Sequence, residues 1–170
     1  MPREYDYVGP ALLAREANAT IDRLRPRRPE DILAWPPARG RSRLDLTYVV
    51  DGGGALWISD RRTEHVALAR GARVLGAGEL GLDLRGRHVE VTDVTNQSTG
   101  YCPEPGCWEA VRCALLAAGL EPPPALTHSF EFRRCRSCRA INVIKEELFE
   151  CGDCEAALPS HWNFEPPAAG

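Results

Sequence analysis

Cys135-Arg136-Ser137-Cys138 and Cys151-Gly152-Asp153-Cys154 are two C-x₂-C pairs separated by twelve residues. Each pair can wrap a tight turn whose backbone amides lean toward the sulfurs, and two such turns supply four thiolates. Four thiolates complete a tetrahedral Zn²⁺ site with no position left open for substrate. The spacing therefore predicts a structural zinc held by Cys135, Cys138, Cys151 and Cys154. Two disulfides are the alternative for the same four residues.

Between the pairs, Ile141, Val143 and Ile144 are branched and apolar, Lys145–Glu147 is charged, and Leu148-Phe149 is apolar again. That pattern predicts a β-hairpin across the insert, and the whole segment resembles a zinc ribbon. Residues 125–165 are read as this ribbon with a C-terminal tail, Trp162 and Phe164 folding back onto the body. Residues 1–124 are read as an α+β body.

The chain has 170 residues, 44% of them hydrophobic and 26% charged, enough to bury a core without the metal. A net charge of −3 argues against a protein built wholly around phosphate backbones. No stretch approaches the length of a membrane helix, and Met1–Tyr7 is too polar for a signal-peptide core. The expected location is the cytoplasm, where thiols stay reduced and paired C-x₂-C motifs mean metal.

Leu13, Ala17, Ile21 and Leu24 recur at helical intervals and predict a helix over Pro10–Leu24. Glu30–Trp35 reads as a short helical turn. Leu44–Val50 alternates and, with the Asp51–Gly54 turn and Ala55–Ser59, reads as a hairpin. Gly71, Gly76, Gly78 and Gly81 interrupt the next apolar pieces, which predicts tightly turned, closely approaching backbone rather than long helices. His88–Thr95 is a further strand, Glu104–Gly119 the best helix, and Leu126–Phe132 a strand leading into the ribbon. No internal repeat is read. The expected fold is α+β: a small, mostly antiparallel sheet, two helices and the ribbon.

Three constellations upstream could carry chemistry. His88-Val89-Glu90 with Cys102 and Cys107 is suggestive of a zinc deaminase, but His88 lies in an alternating strand and the cysteines are five positions apart, so the motif fails. Cys102 stands just before a helix, the one upstream thiol placed for a lowered pKa, while Cys107 and Cys113 fall inside that helix.

The third runs from His65 to Glu79, followed by Asn96-Gln97-Ser98-Thr99-Gly100-Tyr101-Cys102-Pro103. Residues 46–120 resemble a small bacterial domain found in polymorphic-toxin and orphan proteins, although Thr99-Gly100 stands where that pattern has Gly-His. From the residues alone, His65 and Glu79 could act as general acid and base. Ser98, Thr99 and the Gly100 amide could hold an anion beside Tyr101. A small enzyme acting on a nucleotide-like or anionic ligand is the reading this pocket would support.

Arg15–Arg43 contains eight arginines against four acids, a basic run suited to nucleic acid, but no aromatics alternate with them to stack bases. Around the metal, Arg133, Arg134, Arg136, Arg139 and Lys145 face six acids between Glu131 and Glu155, a net −1. The bases cluster on the first knuckle and the acids on the second. Such a bipolar surface suits a protein partner better than a phosphate track. The leading expectation is a bacterial zinc-ribbon adaptor acting through protein contacts, in a defence-, toxin-linked or regulatory setting.

Overall fold

The computed structural model describes residues 1–15, 17 and 20–165. Its centre is a five-stranded antiparallel sheet in the order β1-β3-β2-β4-β5. The strands are β1 (Arg23–Leu24), β2 (Arg43–Asp51), β3 (Leu56–Asp60), β4 (Val74–Arg85) and β5 (His88–Val94). Four short helices accompany it: α1 (Ala11–Arg15), α2 (Pro29–Ala34), α3 (His65–Leu68) and α4 (Trp108–Ala117). A separate two-stranded sheet pairs β6 (Phe132–Arg134) with β7 (Ile141–Val143). The architecture is α+β, with the cysteine cluster at its C-terminal end. Among the described residues, no helix is long and apolar enough to cross a membrane.

The alternation of β2 puts Leu46, Tyr48 and Val50 on one sheet face beside Leu80, Gly78 and Gly76 of β4. Helix α4 packs there through Val111, Ala114 and Leu115, all buried. On the opposite face Val49 meets the single turn of α3, whose Val66 and Leu68 are buried. The hairpin of β2 and β3 and the strand β5 follow the expected pattern.

Strand β4 does not. Its glycines lie inside one continuous twelve-residue strand rather than in turns. A Cβ on Gly76 would sit 2.6 Å from Val111 Cγ2, and one on Gly78 only 1.9 Å from the Thr95 carbonyl oxygen. The expected turns are absent, but the expected close approach is present: the glycines let α4 and the chain after β5 lie directly on the sheet. They are gaps for neighbours rather than breaks in the strand.

The expected helix over Pro10–Leu24 is also corrected. Helix α1 covers only Ala11–Arg15, and Arg23–Leu24 form the edge strand β1 against Ser59 and Ile58. Glu16, Asn18 and Ala19 lie outside the described residues. The Arg23 guanidinium stacks 4.0 Å over Trp57 and donates to the Leu68 carbonyl, 2.9 Å away. These tertiary contacts hold the end of the segment extended, against its helical periodicity.

Between the cysteine pairs the ladder is different from the expected hairpin. β7 pairs backward with β6, Phe132 opposite Val143 and Arg134 opposite Ile141. The charged turn is closed by a lone bridge between Lys145 and Leu148, with Glu146 and Glu147 both at positive φ. Of the expected strand Leu126–Phe132, His128 instead lies parallel to Thr95 of the body.

Candidate metal centre

The two cysteine turns are built alike. In the first, the Cys135 amide donates to the Ala140 carbonyl, and the Arg139 amide donates back to the Cys135 carbonyl, at 2.8 and 3.0 Å. In the second, the Cys151 amide donates to Ala156 and the Glu155 amide to Cys151, both at 2.9 Å. Arg139 and Glu155 take the same left-handed backbone, φ 69° and 59°. The sequence signal for this was available: both hexads read Cys-x-x-Cys-x-Ala, so the chain does contain a short internal repeat.

The repeat sets the four sulfurs in one cluster, all within 4.8 Å of one another. Cys135 and Cys154 Sγ are 3.5 Å apart, as are Cys138 and Cys151 Sγ. A disulfide needs about 2.05 Å, whereas the edge of a tetrahedron with metal–sulfur bonds of about 2.3 Å is roughly 3.8 Å. The arrangement fits a tetrahedral ion and not two bridges. All seven cysteines are free thiols.

Backbone donors act on the four thiols unequally. Cys135 and Cys151 are lowered. At Cys138 the Ala140 amide is outweighed by burial and the neighbouring sulfurs, which push the thiol up to about 12, and Cys154 is raised as well beside Cys135. The Cys138 amide donates to Cys135 Sγ at 3.5 Å and holds that thiol below its usual range. The amides of Asp153 and Cys154 draw the Cys151 thiol down to about 6. Asn142 ties the two turns together. Its Nδ2 donates to Cys151 Sγ (3.4 Å) and to the Ala140 carbonyl (3.2 Å), and its Oδ1 accepts from the Gly152 amide (2.9 Å). Nothing in the spacing of the cysteines points to Asn142. Its role emerges only when β7 turns it toward the second pair.

The upstream candidates are placed differently. His65 is half-buried, its Nε2 donating to the Gly78 carbonyl at 2.9 Å. Desolvation lowers its pKa, offset in part by that bond. Glu79 is exposed in a polar groove of about 290 Å³ shared with Arg43, Arg61, Asp93 and His128. His65, Ser98 and Tyr101 do not line that groove. Ser98 is buried and its Oγ accepts from the Tyr101 amide (3.3 Å), while the Tyr101 hydroxyl donates to the Ala72 carbonyl (2.8 Å).

Cys102 is buried on a left-handed backbone (φ 45°), and burial pushes its thiol up to about 12. The lowered pKa expected from its place before a helix is thus reversed, because desolvation outweighs the helix. Cys107 is likewise pushed up to about 12 by burial. Cys113 is exposed at the rim of an apolar groove of about 530 Å³, whose walls include Arg3, Tyr5, Leu75, Glu104 and Ala110.

Two arginines of the basic run are engaged within the chain. Arg23 faces Trp57, and Arg43 lies among Asp45, Asp83 and Asp93 at 2.8–3.2 Å. Family models, curated proteins and solved structures were compared with the chain, and none matches.

Proposed function

We propose that this chain is a zinc-ribbon module that works through contacts with other proteins in a reducing, cytoplasmic setting. In this reading the metal is Zn²⁺ and its role is structural. One observation carries the reading: a closed four-sulfur set beneath an exposed surface of two signs. A tetrahedral ion on Cys135, Cys138, Cys151 and Cys154 has no open position for substrate. Above it, Arg136 and Arg139 are exposed on the first turn, and Asp153 and Glu155 on the second. Leu148 is exposed (63%) at the Lys145–Glu147 turn of the insert between the two cysteine pairs. Exposed charges of both signs, on a unit that also exposes a large apolar side chain, favour a protein surface, since such charges select a partner by complementarity.

The enzyme alternative draws less support. The hydroxyls of Ser98 and Tyr101 and the Nε2 of His65 are already engaged by the chain itself. A bacterial, defence- or toxin-linked setting belongs to this same proposal.

The test has two parts. Elemental analysis of purified protein should give one zinc per chain. Cross-linking in the native host, followed by nuclease treatment, should trap a protein that the double variant Arg136→Glu/Arg139→Glu no longer traps. Capture that vanishes with nuclease, joined to steep salt dependence in vitro, would instead identify a nucleic-acid binder.

A further inference from the structure

We propose that Leu158–Glu165 is a strap whose closure over the body depends on the metal, so that metal occupancy governs the N-terminal arm and the apolar groove beside it. The inference rests on the metal reading of the four cysteines and goes beyond a structural staple.

The root of the strap is the second cysteine turn. Glu150 bridges to Ala157, the Cys151 amide donates to Ala156, and the Leu158 amide donates to Phe149 at 2.9 Å. These contacts form a hairpin whose turn is Cys151–Cys154, so the ion that closes the turn also closes the root. Leu158 is buried in a small cluster with Cys135 and Cys151, separate from the main core. That cluster has little apolar mass of its own, and small metal sites of this kind are ordered by their ion.

From the root the strap is held by ribbon residues. The buried Arg133 donates to the carbonyls of Pro159 (3.1 Å) and Ser160 (3.0 Å). Asn163 exchanges two hydrogen bonds with the Arg134 backbone, at 2.8 and 2.9 Å. Beyond that point it reaches the body. The Trp162 indole donates to the Cys102 carbonyl at 2.7 Å and meets Tyr5 edge-on, with ring centroids 5.8 Å apart. Arg3 lies 4.9 Å over the same indole and pairs with Glu104. Arg3, Tyr5 and Glu104 are walls of the apolar groove.

The strap therefore joins two places through one chain of contacts: the second cysteine turn and the groove wall. Coupling of this form needs an element with two arrangements that both ends bias. The structure shows the closed arrangement, with the root hairpin formed. The second, released one is proposed for the metal-free protein. Cys102 reports which one is present. It belongs to the body, yet it is buried in a small cluster with Phe132 of the ribbon and Phe164 of the strap, against which Val8, Phe130, Ile141, Val143 and Trp162 pack.

The experiment uses purified full-length protein under a reductant, with and without a metal chelator. Each cysteine's alkylation by iodoacetamide is followed by peptide mass spectrometry, and hydrogen exchange at the Val49 and Ala77 amides reports on the central sheet. In the metal-loaded protein Cys113 should react and Cys102 should not. After chelation Cys102 should react on the order of 100-fold faster, with Val49 and Ala77 still protected. Trp162→Ala should expose Cys102 with the metal still bound.

Continued protection of Cys102 after metal loss, while the four ligand cysteines react, overturns the strap and leaves the metal centre intact. Loss of protection at Val49 and Ala77 together with Cys102 overturns it too, since the whole body would then be opening. Protein that purifies without metal removes both this inference and the reading beneath it.

Discussion

The side chain of Asn96 brackets the main chain of Phe130: Oδ1 accepts the Phe130 amide and Nδ2 donates to the Phe130 carbonyl, both at 2.8 Å. The same Nδ2 donates to the Pro103 carbonyl at 2.9 Å. One fully buried amide thus fastens the loop after β5 to the segment that enters the ribbon. Asn96→Ala strands a donor and two carbonyls, and each buried orphan costs about 1–3 kcal/mol. Urea denaturation should show a loss of roughly 3 kcal/mol, against about 0.5 or less for the exposed neighbour in Gln97→Ala. Equal, small losses in both variants would sink this account of the joint.

Gly78 makes a sharper case. A methyl there would sit 1.9 Å from the Thr95 oxygen, which itself accepts from the buried Tyr48 hydroxyl at 2.7 Å. Both groups are backbone or core and cannot swing aside. Gly78→Ala should cost at least about 3 kcal/mol or prevent folding. Gly106→Ala, where nothing lies within 4 Å of the new carbon, should be nearly neutral. The thermal midpoints of the two variants decide it.

These two residues show where the sequence was legible and where it was not. Alternation in Leu44–Val50 and helical spacing in Trp108–Leu115 depend on neighbours close in the chain, so the hairpin and α4 were readable. The cysteine spacing was readable for the same reason. Gly76 and Gly78 look like breakers because glycine is locally permissive, and only the approach of Val111 and Thr95 makes them strand residues. Arg23–Leu24 likewise became a strand through β3, and β7 chose β6 over the nearer Leu148–Phe149. Ser98 and Tyr101 were read as pocket lining because their polar groups were visible, while the buried carbonyls and amides that engage them were not. Asn96 and Asn142 had no signal beyond being asparagines.

Asn142 should tune the metal without binding it. Its amide fixes Cys151 Sγ and the Gly152 amide in one geometry, and outer contacts of this type change metal affinity about 10–100-fold. Asn142→Ala should keep one equivalent of metal at saturation but release it to a competing chelator at a correspondingly lower concentration. Serine at any of Cys135, Cys138, Cys151 or Cys154 should lose the metal, and serine at Cys113 should not. An Asn142→Ala protein that matches wild type in the chelator titration would show that the cysteine turns orient themselves.

His65 gives the stability a pH dependence of known sign. Desolvation lowers its folded pKa below the unfolded value of about 6.5. The unfolded chain therefore binds the proton more readily as the pH falls. The contribution is fully present above about pH 6.5 and is lost progressively as the pH drops from there toward the folded pKa. Nε2 already donates to the Gly78 carbonyl, so protonation falls on Nδ1 and gains no partner from that bond. His65→Gln keeps a donor and removes the titration. Acid also strips thiolate metal sites, so the informative quantity is the difference between wild type and variant. Urea midpoints between pH 5 and 7.5 should converge or cross as the pH falls, wild type losing more than His65→Gln. Parallel curves across that range would mean that His65 reaches solvent well enough to titrate normally in the folded protein.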